Sequence, residues 1–203
     1  QLKTLPPPCC TLCTHPLPQD STVTHCGACI LNPPSFDSTI ALFEYCNLMK
    51  KIVNQMKFEG HYSVAYCLGE QLALHIQDQG QSDWAYIMPV PLHTSRWRTR
   101  GFNQAHLIAH ALSKRLNIPV NTHCVIKIKK TAALSRHTKN RRYQHIRSAF
   151  KVIQHPAQHV AIVDDLMTTG ATAHTLAQAL KSAGAQRVDV LTPIRVLNAV
   201  KSI

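Results

Sequence analysis

The thirteen residues Val160-Ala161-Ile162-Val163-Asp164-Asp165-Leu166-Met167-Thr168-Thr169-Gly170-Ala171-Thr172 decide how this chain is read. Four apolar residues in unbroken succession have the character of a strand covered on both faces, as in a parallel sheet. Two carboxylates follow, then a hydroxyl-rich turn with one glycine, then the start of a helix. Ligands bind beyond the carboxyl ends of parallel strands, which is where Asp164 and Asp165 project. Adjacent carboxylates can accept hydrogen bonds from a vicinal diol such as that of ribose. Gly170 lets the backbone approach a ligand closely or take positive φ. The following helix offers unpaired N–H groups and its positive dipole end to a phosphate, and Thr168, Thr169 and Thr172 add hydroxyls. Neither G-x-x-x-x-G-K-[ST] nor G-x-G-x-x-G occurs, so those phosphate cradles are excluded. The plainer reading is a Thr/Gly turn that merely caps a helix. The presence of every part in order weighs against it.

Working outward, Arg187 to Ile194 reads as a further strand and Ala171 to Ala183 as the helix before it, ended by Gly184. Upstream, Trp84 to Met88 reads as a buried strand stopped by Pro89 and Pro91. Phe102 to Leu116 reads as a helix with Ala105, Leu107, Ile108, Ala111 and Leu112 inside. His61 to Ile76 fits another helix, and Ile40, Phe43, Leu48, Ile52 and Met56 place a loosely amphipathic helix over 39–56. Cys124 to Ile126 reads as a strand and Thr138 to Ile146 as a short basic helix. Strands alternating with helices argue for an α/β fold with a parallel sheet. The expected organisation is a small N-terminal module over 1–35 closed by Pro33-Pro34, a helical hood or linker over 36–80, and an α/β domain over 81–203.

The 203 residues carry 22 Lys+Arg against 10 Asp+Glu, a net charge of +12, and 45% are hydrophobic. That apolar fraction excludes a wholly disordered basic tail. No apolar run approaches the roughly 18–20 residues that span a bilayer, and the start does not resemble a signal peptide. The charge is concentrated. Between Asp83 and Asp164 no acidic residue occurs, and these 80 positions hold 14 Lys/Arg and 8 of the 13 His. A block of this kind suits a polyanionic partner. Within it, Pro91 and Leu92 lead into Arg96, Trp97, Arg98 and Arg100, again past the end of an expected strand. Guanidinium forks at alternate positions can grip pyrophosphate or a nucleic-acid backbone, and Trp97 can stack on a base or anchor the core. Lys129, Lys130, Arg136, Lys139, Arg141 and Arg142 are further candidates for contact with a nucleic acid.

Cys10-x2-Cys13 and Cys26-x2-Cys29 form two knuckles separated by 12 residues. Four thiolates paired in this way suit tetrahedral Zn²⁺ in a structural site, and the metal would stabilise a segment too small for a core of its own. Two disulfides are the alternative and would need an oxidising compartment. Cys9 could stand in for Cys10, and His15 or His25 for a thiolate. Cys46, Cys67 and Cys124, in apolar surroundings, read as buried free thiols.

The thirteen-residue segment resembles the signature of type I phosphoribosyltransferases, which bind phosphoribosyl pyrophosphate (PRPP). Pro89-Val90-Pro91-Leu92, the spaced arginines and Arg100-Gly101-Phe102-Asn103-Gln104-Ala105 are similar to the ComF family, phosphoribosyltransferase-like proteins with an N-terminal zinc finger. The resemblance implies that Asp164 and Asp165 hold ribose hydroxyls, that Met167, Thr168, Thr169, Gly170, Ala171 and Thr172 hold the 5′-phosphate, and that Mg²⁺ accompanies PRPP. It also implies a cytoplasmic role in natural transformation, with single-stranded DNA and other competence proteins as partners. One stretch departs from the family pattern: Leu134, His137 and His145 stand where Gln, Leu and Asn are usual, while Arg142, Ala149 and Phe150 are kept. Two functions compete. One is transfer chemistry on PRPP to an unidentified acceptor; the other is nucleic-acid binding on the same scaffold. An adaptor acting through the zinc finger is a third.

Overall fold

The computed structural model describes residues 2–58, 60–80, 83–93, 95, 98, 101–128 and 149–197. After a short helix α1 (Gly27–Leu31) the elements are β1 (Ser38–Glu44), α2 (Asn47–Phe58), α3 (Tyr62–Asp78), β2 (Tyr86–Pro89) and α4 (Gln104–Leu116). They continue as β3 (Val125–Lys127), β4 (Phe150–Val152), β5 (His159–Val163), α5 (Ala171–Ser182) and β6 (Arg187–Arg195). Strands β1, β6, β5 and β2 form, in that order, one parallel sheet. β3 and β4 pair antiparallel as a separate ribbon.

The alternation along the central strands sets the layers. Val160 and Ile162 of β5 pack with Leu176, Ala177 and Leu180 of α5 and with the β3–β4 ribbon. Ala161 and Val163 face the other way, against α2, α3 and α4. A strand with apolar side chains on both faces is therefore covered on both, as expected for a parallel sheet. Helix α3 lies so close to α4 that a Cβ on Gly69 would meet Ala111 Cβ at 2.7 Å.

One expectation is corrected. Residues 39–44 are not the first turns of a helix but β1, with Thr39, Ala41 and Phe43 buried on alternate positions. The helix starts at Asn47, and Met49, Val53 and Met56 supply its buried face. Ile40, Phe43, Leu48, Ile52 and Met56 fit a helical period by coincidence. Pairing with β6 decides the outcome. Beyond β1, Leu5 N–H donates to the Leu42 carbonyl and Glu44 N–H to that of Lys3, so the N-terminal segment covers the sheet edge.

At the amino ends of the strands Asp189 collects four donors. Ser38 Oγ and Arg187 Nε reach Oδ1 at 2.8 and 3.2 Å, and Trp84 Nε1 and His159 Nε2 reach Oδ2 at 2.8 and 2.7 Å. Burial alone would raise this carboxyl, but the bonds from Trp84, His159, Ser38 and Arg187 outweigh it and hold it below the usual carboxylate range. His159 Nδ1 meets Asp83 Oδ1 at 2.7 Å.

Candidate functional site

The candidate groups lie at the opposite, carboxyl end of the sheet. Asp164 N–H donates to the Leu191 carbonyl at 3.1 Å, and Asp165 N–H donates to Asp164 Oδ1 at 3.0 Å. The two carboxylates thus leave β5 in a fixed order. Burial, then the neighbouring Asp165, pushes the Asp164 carboxyl up to about 7, and Lys57 acts in the opposite sense. Lys57, in the last turn of α2, places Nζ 2.7 Å from Asp165 Oδ2, with both side chains mostly buried. Sequence reasoning missed Lys57, because one lysine on an amphipathic helix carries no local signal of a partner far along the chain.

The turn behind the carboxylates is tightly held at its base. Met167 is buried; its N–H donates to the Ile194 carbonyl and its carbonyl accepts from Val196 N–H, both at 2.9 Å. Its backbone N–H and carbonyl are thus both engaged within the protein. Thr168 and Thr169 are exposed. Gly170 stands at the N-cap of α5 with φ +76°, and a Cβ there would meet Met167 Cε at 2.8 Å and Phe36 Cζ at 3.6 Å. No L side chain fits that position without strain. Ala171 N–H donates to Thr169 Oγ1 at 3.4 Å, and His174 N–H closes the first helical bond to the Gly170 carbonyl. Ala171 and Thr172 are half-buried in that first turn, where helix N–H groups lack intrahelical acceptors. The arrangement can hold a diol on its carboxylates and an anion on its turn.

Beside it, the segment after β2 is pinned by Asn103, whose Nδ2 donates to the Val90 carbonyl at 3.0 Å and whose Oδ1 accepts from Ala105 N–H at 3.1 Å, capping α4. Pro91 and Leu92 are half-exposed and Arg98 is exposed. Phe102 packs edge-on against Tyr62, with ring centroids 4.4 Å apart. Arg96, Trp97, Arg100, Lys129, Lys130, Arg136, Lys139, Arg141 and Arg142, and the helix expected over 138–146, lie outside the described residues.

The second cluster is cysteine. Sγ atoms of Cys10, Cys13, Cys26 and Cys29 all lie within 4.8 Å of one another, and those of Cys13 and Cys26 are 3.6 Å apart. Tetrahedral thiolate ligation at about 2.3 Å calls for sulfurs about 3.8 Å apart, so the four could hold a metal ion. Burial, and then the negative charge of Cys10, pushes Cys13 up to about 11; burial and then Cys13 also push Cys29 up. Four crowded thiolates call for a cation. Cys9 turns away and donates Sγ–H to the Pro6 carbonyl, and neither His15 nor His25 joins the group. Among the remaining cysteines Cys124 is buried as expected, whereas Cys67 is exposed and Cys46 is partly exposed at the head of α2. Cys46 nonetheless packs against the core shared by β1, α2 and α3.

Between the two clusters lies Arg195, the last residue of β6, 1% exposed. Its Nε donates to the Cys13 carbonyl at 2.8 Å, and its Nη1 donates to the carbonyls of Met167 at 3.2 Å, Thr168, and Val196 at 2.8 Å. Nothing in the sequence marks this arginine. Among the described residues no helix is long and apolar enough to cross a membrane.

No family model matches the chain. It is 30% identical over 175 residues to competence protein F of Haemophilus influenzae, covering 82% of this chain and 76% of that one. It is 31% identical over 202 residues to DNA utilization protein YhgH of Escherichia coli, covering 96% and 86%. Competence protein ComFC of Bacillus subtilis is 29% identical, covering 76% and 63%. Solved structures that align with the chain include the allosteric regulatory enzyme of purine biosynthesis, 20% identical, covering 64% of this chain and 25% of that one with a TM-score of 0.44. A hypoxanthine phosphoribosyltransferase from Staphylococcus aureus, 13% identical, covers 68% and 67% with a TM-score of 0.42.

Proposed function

This chain belongs to the competence protein F family, and from that premise we propose that it handles incoming single-stranded DNA in the cytoplasm. It does so on a phosphoribosyltransferase-like scaffold that binds PRPP or a related sugar phosphate. The observation that carries the sugar-phosphate part is the sequence of groups past β5: paired carboxylates at Asp164 and Asp165, then exposed hydroxyls at Thr168 and Thr169 around a positive-φ Gly170 at a helix N-cap. A diol and a phosphate are the two ends of a ribose 5-phosphate, and these are the groups that would hold each. Mg²⁺ bound with PRPP would neutralise its pyrophosphate oxygens. The nucleic-acid part is supported by the acid-free basic block and by the names of the relatives, competence and DNA utilization proteins. Cys10, Cys13, Cys26 and Cys29 would hold a structural Zn²⁺.

Calorimetry with PRPP and Mg²⁺ is the direct test. Saturable binding, weakened at least about tenfold by Asp165→Asn, is expected; no binding would remove the sugar-phosphate part. For DNA, anisotropy of a labelled oligothymidine over a salt series should show affinity falling steeply with salt, through release of counterions. Arg96, Arg98 and Arg100 changed together to Ala should weaken binding and flatten that dependence. Affinity indifferent to salt would sink the DNA part.

A second reading, turnover of PRPP onto an acceptor, is favoured by the paired carboxylates and the hydroxyl turn lying together past β5, where the diol and the phosphate of a sugar phosphate would both be held. Release of pyrophosphate in the presence of candidate nucleobases tests it. A rate that stays at background with all of them rejects it.

A further inference from the structure

Arg195 is a fully buried cation that touches no carboxylate among the described residues. Among the described residues its side chain donates to four backbone carbonyls, and three of these belong to two different candidate sites. Cys13, one of the four clustered cysteines, receives Nε at 2.8 Å. Met167 and Thr168, the base of the anion turn, receive Nη1 together with Val196. A guanidinium is planar and rigid, so a shift at one edge of the fork is transmitted to the other. A buried cation also needs negative charge nearby, and a centre of four thiolates around one divalent ion is net negative.

The knuckle is tied to the sheet on the same line. Thr39 N–H donates to the Thr11 carbonyl at 2.9 Å and Thr39 Oγ1 donates to the Leu12 carbonyl at 2.5 Å. Three consecutive carbonyls, Thr11 to Cys13, are thus held by β1 and β6. Past the second knuckle, Ser35 N–H donates to His174 Nδ1 at 3.0 Å, and Phe36 lies under Gly170. The cysteine module and the turn share one wall.

We propose that Arg195 is a positioning residue that couples the four-cysteine centre to the Met167–Thr172 turn, so that metal loading sets how well the turn is ordered for an anion. The coupling is regulation of the proposed sugar-phosphate site and rests on that reading. By linkage it runs both ways: what orders the turn also tightens the metal.

The test uses the full, zinc-loaded chain and hydrogen exchange at two amides whose bonds define the turn's base, Met167 N–H to Ile194 and Val196 N–H to Met167. Removing the metal with a chelator should speed exchange at both by about tenfold or more while β5 keeps its protection. Arg195→Lys, which keeps the charge but loses the fork, should do the same with metal bound and should speed zinc release to the chelator about tenfold. In the wild type, ribose 5-phosphate should slow that release. Unchanged exchange at Met167 and Val196 after metal removal overturns the proposal. So does loss of protection throughout β5, since the metal would then be holding the whole fold and not this one link. Should Arg195→Lys fail to fold, the wild-type arm decides alone. If ribose 5-phosphate does not bind at all while both exchange results appear, the coupling stands and the sugar-phosphate reading falls.

Discussion

Lys57 Nζ lies 2.7 Å from Asp165 Oδ2, so the last turn of α2 closes over the carboxyl end of β5. The pair holds a helix from one layer against a strand of the next. It also sets the charge that any diol or cation arriving at the two aspartates will meet. Replacing Lys57 with Met keeps the stem and removes the ammonium. The expected results are a loss of about 1–2 kcal/mol in urea unfolding at neutral pH, between the values for exposed and buried pairs, and an upward move of Asp164. Carboxyl-carbon NMR titration reads the second; a downward move would contradict the arrangement.

Asp164 should reveal itself through pH. Its folded-state value near 7 lies above the 3.8 of an unperturbed aspartate. Between those values the folded chain keeps a proton that the unfolded chain releases, so unfolding free energy falls as pH rises through that window and levels off above it. Asp164→Asn removes this contribution. The variant should match or exceed the wild type in stability at pH 8, lose the advantage toward pH 4, and bind sugar phosphate more weakly. Denaturant titrations at the two pH values check the sign.

Gly170→Ala tests the turn without altering charge. The substitution places a Cβ at φ +76° and 2.8 Å from Met167 Cε. A cost of about 1–3 kcal/mol is expected, along with weaker binding of ribose 5-phosphate. A thermal scan and calorimetry on the same sample measure both. Wild-type behaviour in both would show that the turn relaxes freely.

Asp189→Asn addresses the far end of the sheet. The carboxylate accepts from Ser38, Trp84, His159 and Arg187, and the amide cannot serve all four. A loss of about 3 kcal/mol is expected at neutral pH. Because the folded carboxyl lies below 3.8, its stabilising contribution is full above that value and disappears as pH falls through the folded value. The gap between variant and wild type should therefore close in acid, and denaturation followed from pH 7 downward will show whether it does.

What could be read from the sequence is what is local. The run from Val160 to Thr172 holds its strand, carboxylates, turn and helix start in one contiguous stretch, and the four cysteines sit in two short spacings. Elements whose identity depends on distant partners were less legible. The residues of β1 carry both an alternating and a helical reading, and β6, some 150 residues later, selects the first. Lys57 and Arg195 look like any other basic residue until the fold places one on Asp165 and the other between two sites. The basic stretch from Lys129 to Arg142 lies outside the described residues and is visible as composition.

The four-donor carboxylate at Asp189 works like the rivet of a fan. It joins residues at or just before the starts of β1, β2, β5 and β6, the end remote from the aspartates and the threonine turn. The strand starts are tied together at the rivet, and the blades run from it toward the aspartates and the threonine turn. Loops at the open edge can therefore be lengthened, recharged or rebuilt without undoing the contacts that tie the strand starts together.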